Sequence, residues 1–338
     1  MKTTTKMRPL GMAAIVALLG AGTACESAPA PDPSVVTARL VADKLVAACP
    51  LAAPSDETAR ASCAAALSGD KELGAVMNEP FLWGGQTAGA GYRLEDSNMN
   101  RFNVFVWRRM YLSLMMFPGG WTMEQTTDGL TVVHIPVSFR NALAPGSYPY
   151  PFWHSAKKWD SYQLAREVIL EFRDGKWIGA MRAADQDPSR PRVAHTWSGL
   201  WRWQEGDAQM PYVSLYSYLL SPENPNTARL DAAYRELSNG LRAQACFMCH
   251  SPDNHASQTQ LEFFNYPPQA LYSRNSIIEQ LQKNAMPPAA NDLGLAQGIA
   301  DDGDRQQLIT LAREFKAAGD AALAFEGELK PVPPAQPQ

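Results

Sequence analysis

The sequence predicts a multidomain α+β protein, in which a helical hairpin and an antiparallel-sheet domain precede an all-α domain. Three observations carry that prediction. Apolar residues recur at helical spacing near both ends of the 338-residue chain. All nine tryptophans and the alternating apolar runs fall between residues 76 and 225. A turn-rich segment, SPENPN, then separates this middle region from the last helices. A hydrophobic content of 46% with 19% charged residues is that of a folded chain, and 338 residues suffice for two cores. The net charge of -4, with no basic stripe, argues against nucleic acid as a partner.

Residues 1–24 read as an export signal. Lys2, Lys6 and Arg8 precede the apolar run LGMAAIVALLG and the small residues AGTA, an order that directs secretion. The apolar run is short for a bilayer span. Cys25 follows, and residues 25–33 form a Pro/Ala/Ser tether. This junction resembles that of bacterial lipoproteins, which implies lipidation of Cys25 and a periplasmic, membrane-anchored protein. An ordinary signal peptide cut near Ala24 is the alternative.

Residues 34–75 predict a helical hairpin. Val36, Leu40, Leu45 and Val46 fall near one face of the first helix, and SDETARASCAAALSG runs from a capping signal to Gly69. Of the five cysteines, Cys246 and Cys249 form one motif, which leaves Cys49 and Cys63 for a disulfide across the hairpin. Two buried thiols are the alternative.

Residues 76–225 predict an α+β domain of unassigned role. In LTVVHIPVSF, Val133, Ile135, Val137 and Phe139 share a face, and Pro136 predicts an edge strand. REVILEFRDGKWIGAMR reads as a hairpin turning at Asp174-Gly175, with Phe172 opposite Trp177 and Val168 opposite Met181. WSGLWRWQ adds a further strand, and NRFNVFVWRRMYLSLMMF a flanking helix.

Residues 226–328 are predicted to be helical, and 329–338 a disordered tail. Leu230, Ala233, Tyr234, Leu237 and Leu241 line a helix that runs into CFMCH. NSIIEQLQKNA is a second helix, stopped by MPP. Leu308, Leu311, Ala312, Phe315 and Leu323 stripe a third.

CFMCH offers three chemistries: a zinc site, a redox dithiol, or covalent haem. Zinc lacks a fourth ligand, His255 being the only extra donor nearby. A dithiol oxidoreductase sets its Cys-x-x-Cys after a strand, whereas an amphipathic helix leads in here. In an exported chain Cys-x-x-Cys-His attaches haem c: two thiols a turn apart each add to a vinyl, and the adjacent histidine reaches the iron.

With that motif, residues 226–328 resemble the class I, cytochrome c-like family. The resemblance implies an all-α haem domain with one covalent haem c on Cys246 and Cys249. His250 is then the proximal ligand, and Met286, from the loop NAMPP, the distal one. Met286 is the only methionine after the motif; His134, His154 and His195 are alternative distal ligands. Phe263, Phe264, Tyr266 and Tyr272 would wall the haem, with Arg274 near a propionate. His/Met ligation closes the iron to substrates and raises its potential. The expected function is single-electron transfer between periplasmic or membrane redox proteins, not enzymatic catalysis. A haem enzyme or small-ligand sensor with an open or labile distal position is the alternative. No phosphate-binding glycine motif or nucleophilic triad is present.

Overall fold

The computed structural model describes residues 30–77, 81–94, 99–102, 104–144, 147–148, 156–194, 216, 219–250, 264, 267–291 and 293–328. Met1–Pro31 and Asp32–Gln338 form separate units, and every element below belongs to the second. The signal, Cys25, WSGLWRWQ, His154, His195, His255, Phe263, Tyr266 and the tail lie outside the described residues.

The elements, in order, are α1 (Pro33–Ala48), α2 (Glu57–Gly69), α3 (Lys71–Val76), β1 (Phe81–Gly85), β2 (Met99–Phe102) and α4 (Val104–Val106). A π-helical turn at Trp107–Tyr111 and a 3-10 turn at Leu112–Leu114 lead to β3 (Met115–Met116). Then come β4 (Thr122–Gln125), β5 (Thr131–Pro136), β6 (Ser138–Phe139), α5 (Ala156–Gln163), β7 (Glu167–Arg173) and β8 (Lys176–Arg182). Helices α6 (Thr227–Ala243), α7 (Pro267–Tyr272), α8 (Arg274–Lys283) and α9 (Asp302–Phe325) complete the chain, so every described element after Thr227 is helical.

The predicted hairpin forms, and Cys49 and Cys63 are joined by a disulfide. Asp56 caps α2 by accepting from Ala59 N at 2.8 Å. The buried face of α1 differs from expectation: Ala38, Val41, Ala42 and Leu45 are buried, whereas Val36 is 52% exposed. Small residues face inward because α1 lies close to the sheet. Its first turn meets the β7–β8 turn, where Ser34 Oγ accepts from Gly175 N at 2.9 Å and Thr37 Oγ1 donates to Gly175 O at 3.1 Å.

The main sheet has six strands in the order β2-β1-β8-β7-β5-β4. It is mixed, not purely antiparallel, because β1 pairs with β8 in parallel. Strand β5 is interior, contrary to the edge position expected from Pro136. The proline is accommodated because β4 pairs only with Thr131–His134 and stops short of it. The β7–β8 turn falls at Asp174-Gly175, both at positive φ, and Phe172 faces Trp177. A bulge between Glu171 and Phe172 then shifts the register, so Met181 pairs with Ile169 and Val168 with Arg182.

Alternation along the strands divides the faces. Val133, Ile135, Val168, Leu170, Phe172 and Trp177 join the main core, which continues into α6 and α9. Val132, Ile169 and Met181 lie on the opposite face beneath Tyr92 and Leu94. Leu94 comes so close to β8 that a Cβ at Gly179 would lie 2.5 Å from its Cδ1. The helix predicted at 100–117 is instead a strand, short irregular helical turns and a second strand.

Candidate functional site

Helix α6 carries the Cys246–His250 turn. Leu230, Tyr234, Leu237 and Leu241 are buried along it at the expected spacing, and Leu308, Ala312, Phe315 and Leu323 along α9. The two helices meet through Tyr234 and Phe315, whose ring centroids are 5.9 Å apart. Close approach further along requires Gly240, where a Cβ would sit 2.7 Å from Leu308 Cδ2.

Helix α6 ends because Ala245 adopts φ 57°, a left-handed conformation that reverses the chain. Cys246–Met248 then form a 3-10 turn, with Cys249 N and His250 N both donating to Cys246 O, at 3.2 and 3.0 Å. In a 3-10 turn, residues i and i+3 eclipse, which sets Cys246 and Cys249 on one side. Both thiols are free. Burial pushes Cys246 up to about 11 and raises Cys249 too. They therefore stay protonated at neutral pH, unlike the acidic cysteines of dithiol oxidoreductases.

The His250 ring stacks on Phe264 with centroids 4.2 Å apart and planes 13° from parallel. Phe264 is in turn tied to α6, since Tyr234 Oη donates to its carbonyl at 2.8 Å. Face-to-face stacking fixes the plane of the imidazole.

Met286 stands on a loop closed at its base. Asn284 Oδ1 accepts from Ile299 N at 2.7 Å, and Gly298 N donates to Pro287 O at 3.0 Å. Asn291 braces the interior, accepting from Leu295 N at 2.9 Å and donating to Pro288 O at 2.8 Å. Met286 is 36% exposed on this frame. Two thiols, an imidazole and a thioether suit covalent haem c, since two thioethers, a nitrogen and a sulfur are what it takes.

Two of the considered side chains are engaged within the fold. Arg274 donates to Asp320 Oδ1 at 2.7 Å and Leu271 O at 2.9 Å, so it braces α8 on α9. His134 is held on the outer face of the sheet, its Nδ1 2.9 Å from Glu167 Oε2. Sequence reasoning passed over Tyr92 and Glu124 beside it, which reach His134 from a loop and from a neighbouring strand and carry no local signal. Comparison with models of known families, with curated proteins and with solved structures found no match.

Proposed function

We propose that this chain is an exported, lipid-anchored monohaem c-type cytochrome that carries single electrons between redox proteins, with Cys246 and Cys249 holding haem c and His250 and Met286 as axial ligands. One observation carries the reading: the Cys-x-x-Cys-His turn ends a helix packed on α9, with both thiols unpaired and the imidazole oriented through Phe264. When bound, the haem supplies one-electron chemistry at iron.

The chain's own residues do the rest. The α6–α9 crossing fixes where the turn begins, and the left-handed Ala245 aims it. The Asn284 and Asn291 bonds hold the Met286 loop in one shape, which limits the reorganisation of its thioether. The all-α, cytochrome c-like character of residues 226–328 belongs to this proposal and draws support from their exclusively helical described elements. The Cys49–Cys63 disulfide supports an oxidising compartment. Among the described residues no helix is long and apolar enough to cross a membrane. In this reading attachment falls to Cys25.

The second reading, a haem enzyme or ligand sensor, draws on the partial exposure of Met286. Carbon monoxide separates the two. Reduced protein should leave it unbound, and Met286→Ala should bind it readily; rapid binding by the unaltered protein would favour the enzyme or sensor.

A further inference from the structure

The outer face of the sheet carries a second set of chemistry-bearing side chains, on elements other than those of the Cys246–His250 turn. Strand β5 places His134 between Glu124 of β4 and Glu167 of β7, and the loop after β1 brings Tyr92 over it. His134 Nε2 lies 3.2 Å from Tyr92 Oη and 3.8 Å from Glu124 Oε1, and Tyr92 Oη donates to Glu124 Oε1. Its other nitrogen, Nδ1, is 2.9 Å from Glu167 Oε2.

Three donor atoms thus converge: an imidazole nitrogen, a carboxylate oxygen and a phenol oxygen. Ligands bound at about 2.0–2.1 Å in a tetrahedral zinc site are about 3.3 Å apart, near the two spacings from His134 Nε2; the Tyr92–Glu124 hydrogen bond has to open for an ion to enter. A carboxylate on the far nitrogen of a ligating histidine is the usual partner that fixes its tautomer, and Glu167 occupies that position. The carboxylates Glu124 and Glu167 flank His134 and Tyr92, so the local field attracts a cation. The side chains of His134 and Glu124 are 21% and 52% exposed, leaving the site reachable from solvent. Among the described residues no three His, Cys, Asp or Glu side chains converge on one ion. Here the phenol of Tyr92 completes the set.

We propose that His134 Nε2, Glu124 and Tyr92 bind a divalent transition-metal ion of the zinc or copper class, with Glu167 orienting the imidazole. Imidazole with oxygen donors favours these metals over magnesium or calcium. On binding, the metal–oxygen bond replaces the phenol O–H bond of Tyr92, and the proton leaves to water.

Equilibrium dialysis of the full chain against zinc, with metal analysis and ultraviolet difference spectra, tests this. One zinc per chain should be retained, with the absorption of an ionised phenol. Tyr92→Phe should lose that absorption, and His134→Ala and the near-isosteric Glu124→Gln should lose the zinc. Glu167→Gln should weaken binding about 10–100-fold. Circular dichroism confirms that each variant folds. Absence of zinc from the folded protein, or retention unchanged in both His134→Ala and Glu124→Gln, would overturn the site. Zinc bound without ionised phenol would overturn the three-donor assignment. Failure of the haem reading stays distinguishable, because zinc held by free thiols at Cys246 and Cys249 would not respond to His134→Ala.

Discussion

Opening the Cys49–Cys63 disulfide removes a constraint whose size follows from its place in the chain. The bridge joins the residue that ends α1 to the middle of α2 across a separation of 14 residues. Loop-closure entropy for a ring of that size is about 3 kcal/mol at 25 °C. The clasp also bears on the rest of the fold, since Cys49 O accepts from Phe117 N at 2.8 Å, anchoring the end of α1 beside β3. For a chain of this length each kcal/mol moves the melting midpoint by about 1.5 °C, so reduction should lower it by about 4–5 °C. The assay is thermal unfolding followed by circular dichroism, on oxidised protein, on reduced protein and on the Cys49→Ala/Cys63→Ala variant. Both cysteines are buried, at 0% and 1% exposure, so the double variant should fall at least as far as reduced protein. A shift under about 2 °C, with thiol labelling confirming the open bridge, would refute the entropic argument.

Glu171 is pushed up to about 8 by burial from an ordinary 4.5. Folded protein keeps that proton where the unfolded chain gives it up, so its contribution is full below about 4.5 and is lost as pH rises toward 8. Chelator-treated Glu171→Gln should flatten this fall, gaining up to about 5 kcal/mol at pH 8 by urea unfolding; an unchanged pH profile would reject it. Glu328→Ala should cost about 3 kcal/mol because it strands the Arg108 guanidinium, 1% exposed and 3.2 Å from Glu328. Breaking the exposed Arg173–Asp128 pair by Asp128→Ala should cost far less in the same assay, and equal costs would contradict the burial argument. Gly298→Ala should destabilise the Met286 loop by about 1–3 kcal/mol, because φ is +74° and the new Cβ would lie 2.6 Å from Asn284 Nδ2. Proteolysis at residues 284–299 no faster than in the unaltered protein would count against it.

Long periodic segments were legible in the sequence, and close contacts between distant segments were not. The stripes Leu230–Leu241 and Leu308–Leu323 are the buried faces of α6 and α9, since one amphipathic face decides a helix that packs on another. Asp174-Gly175 marked its turn correctly because only certain residues accept its positive φ. The bulge after Glu171 has no local signal, and one extra residue moved Met181 to the opposite face. Strand order, too, is non-local, so Pro136 pointed to an edge that β5 does not occupy. At the candidate site the motif exposed Cys246, Cys249 and His250 at once. The support of His250 by Phe264 and Tyr234 depends on the tertiary fold, as does the meeting of Tyr92 with His134 across 42 residues.

The central claim rests on the state of one peptide. The chain should be produced with residues 1–24 intact in a bacterium that attaches haem c after export, then digested with protease and analysed by mass spectrometry. The account predicts that the peptide containing Cys246–His250 carries one haem through two thioether bonds. Recovery of that peptide from the folded, exported protein as free thiols or as a Cys246–Cys249 disulfide would contradict it.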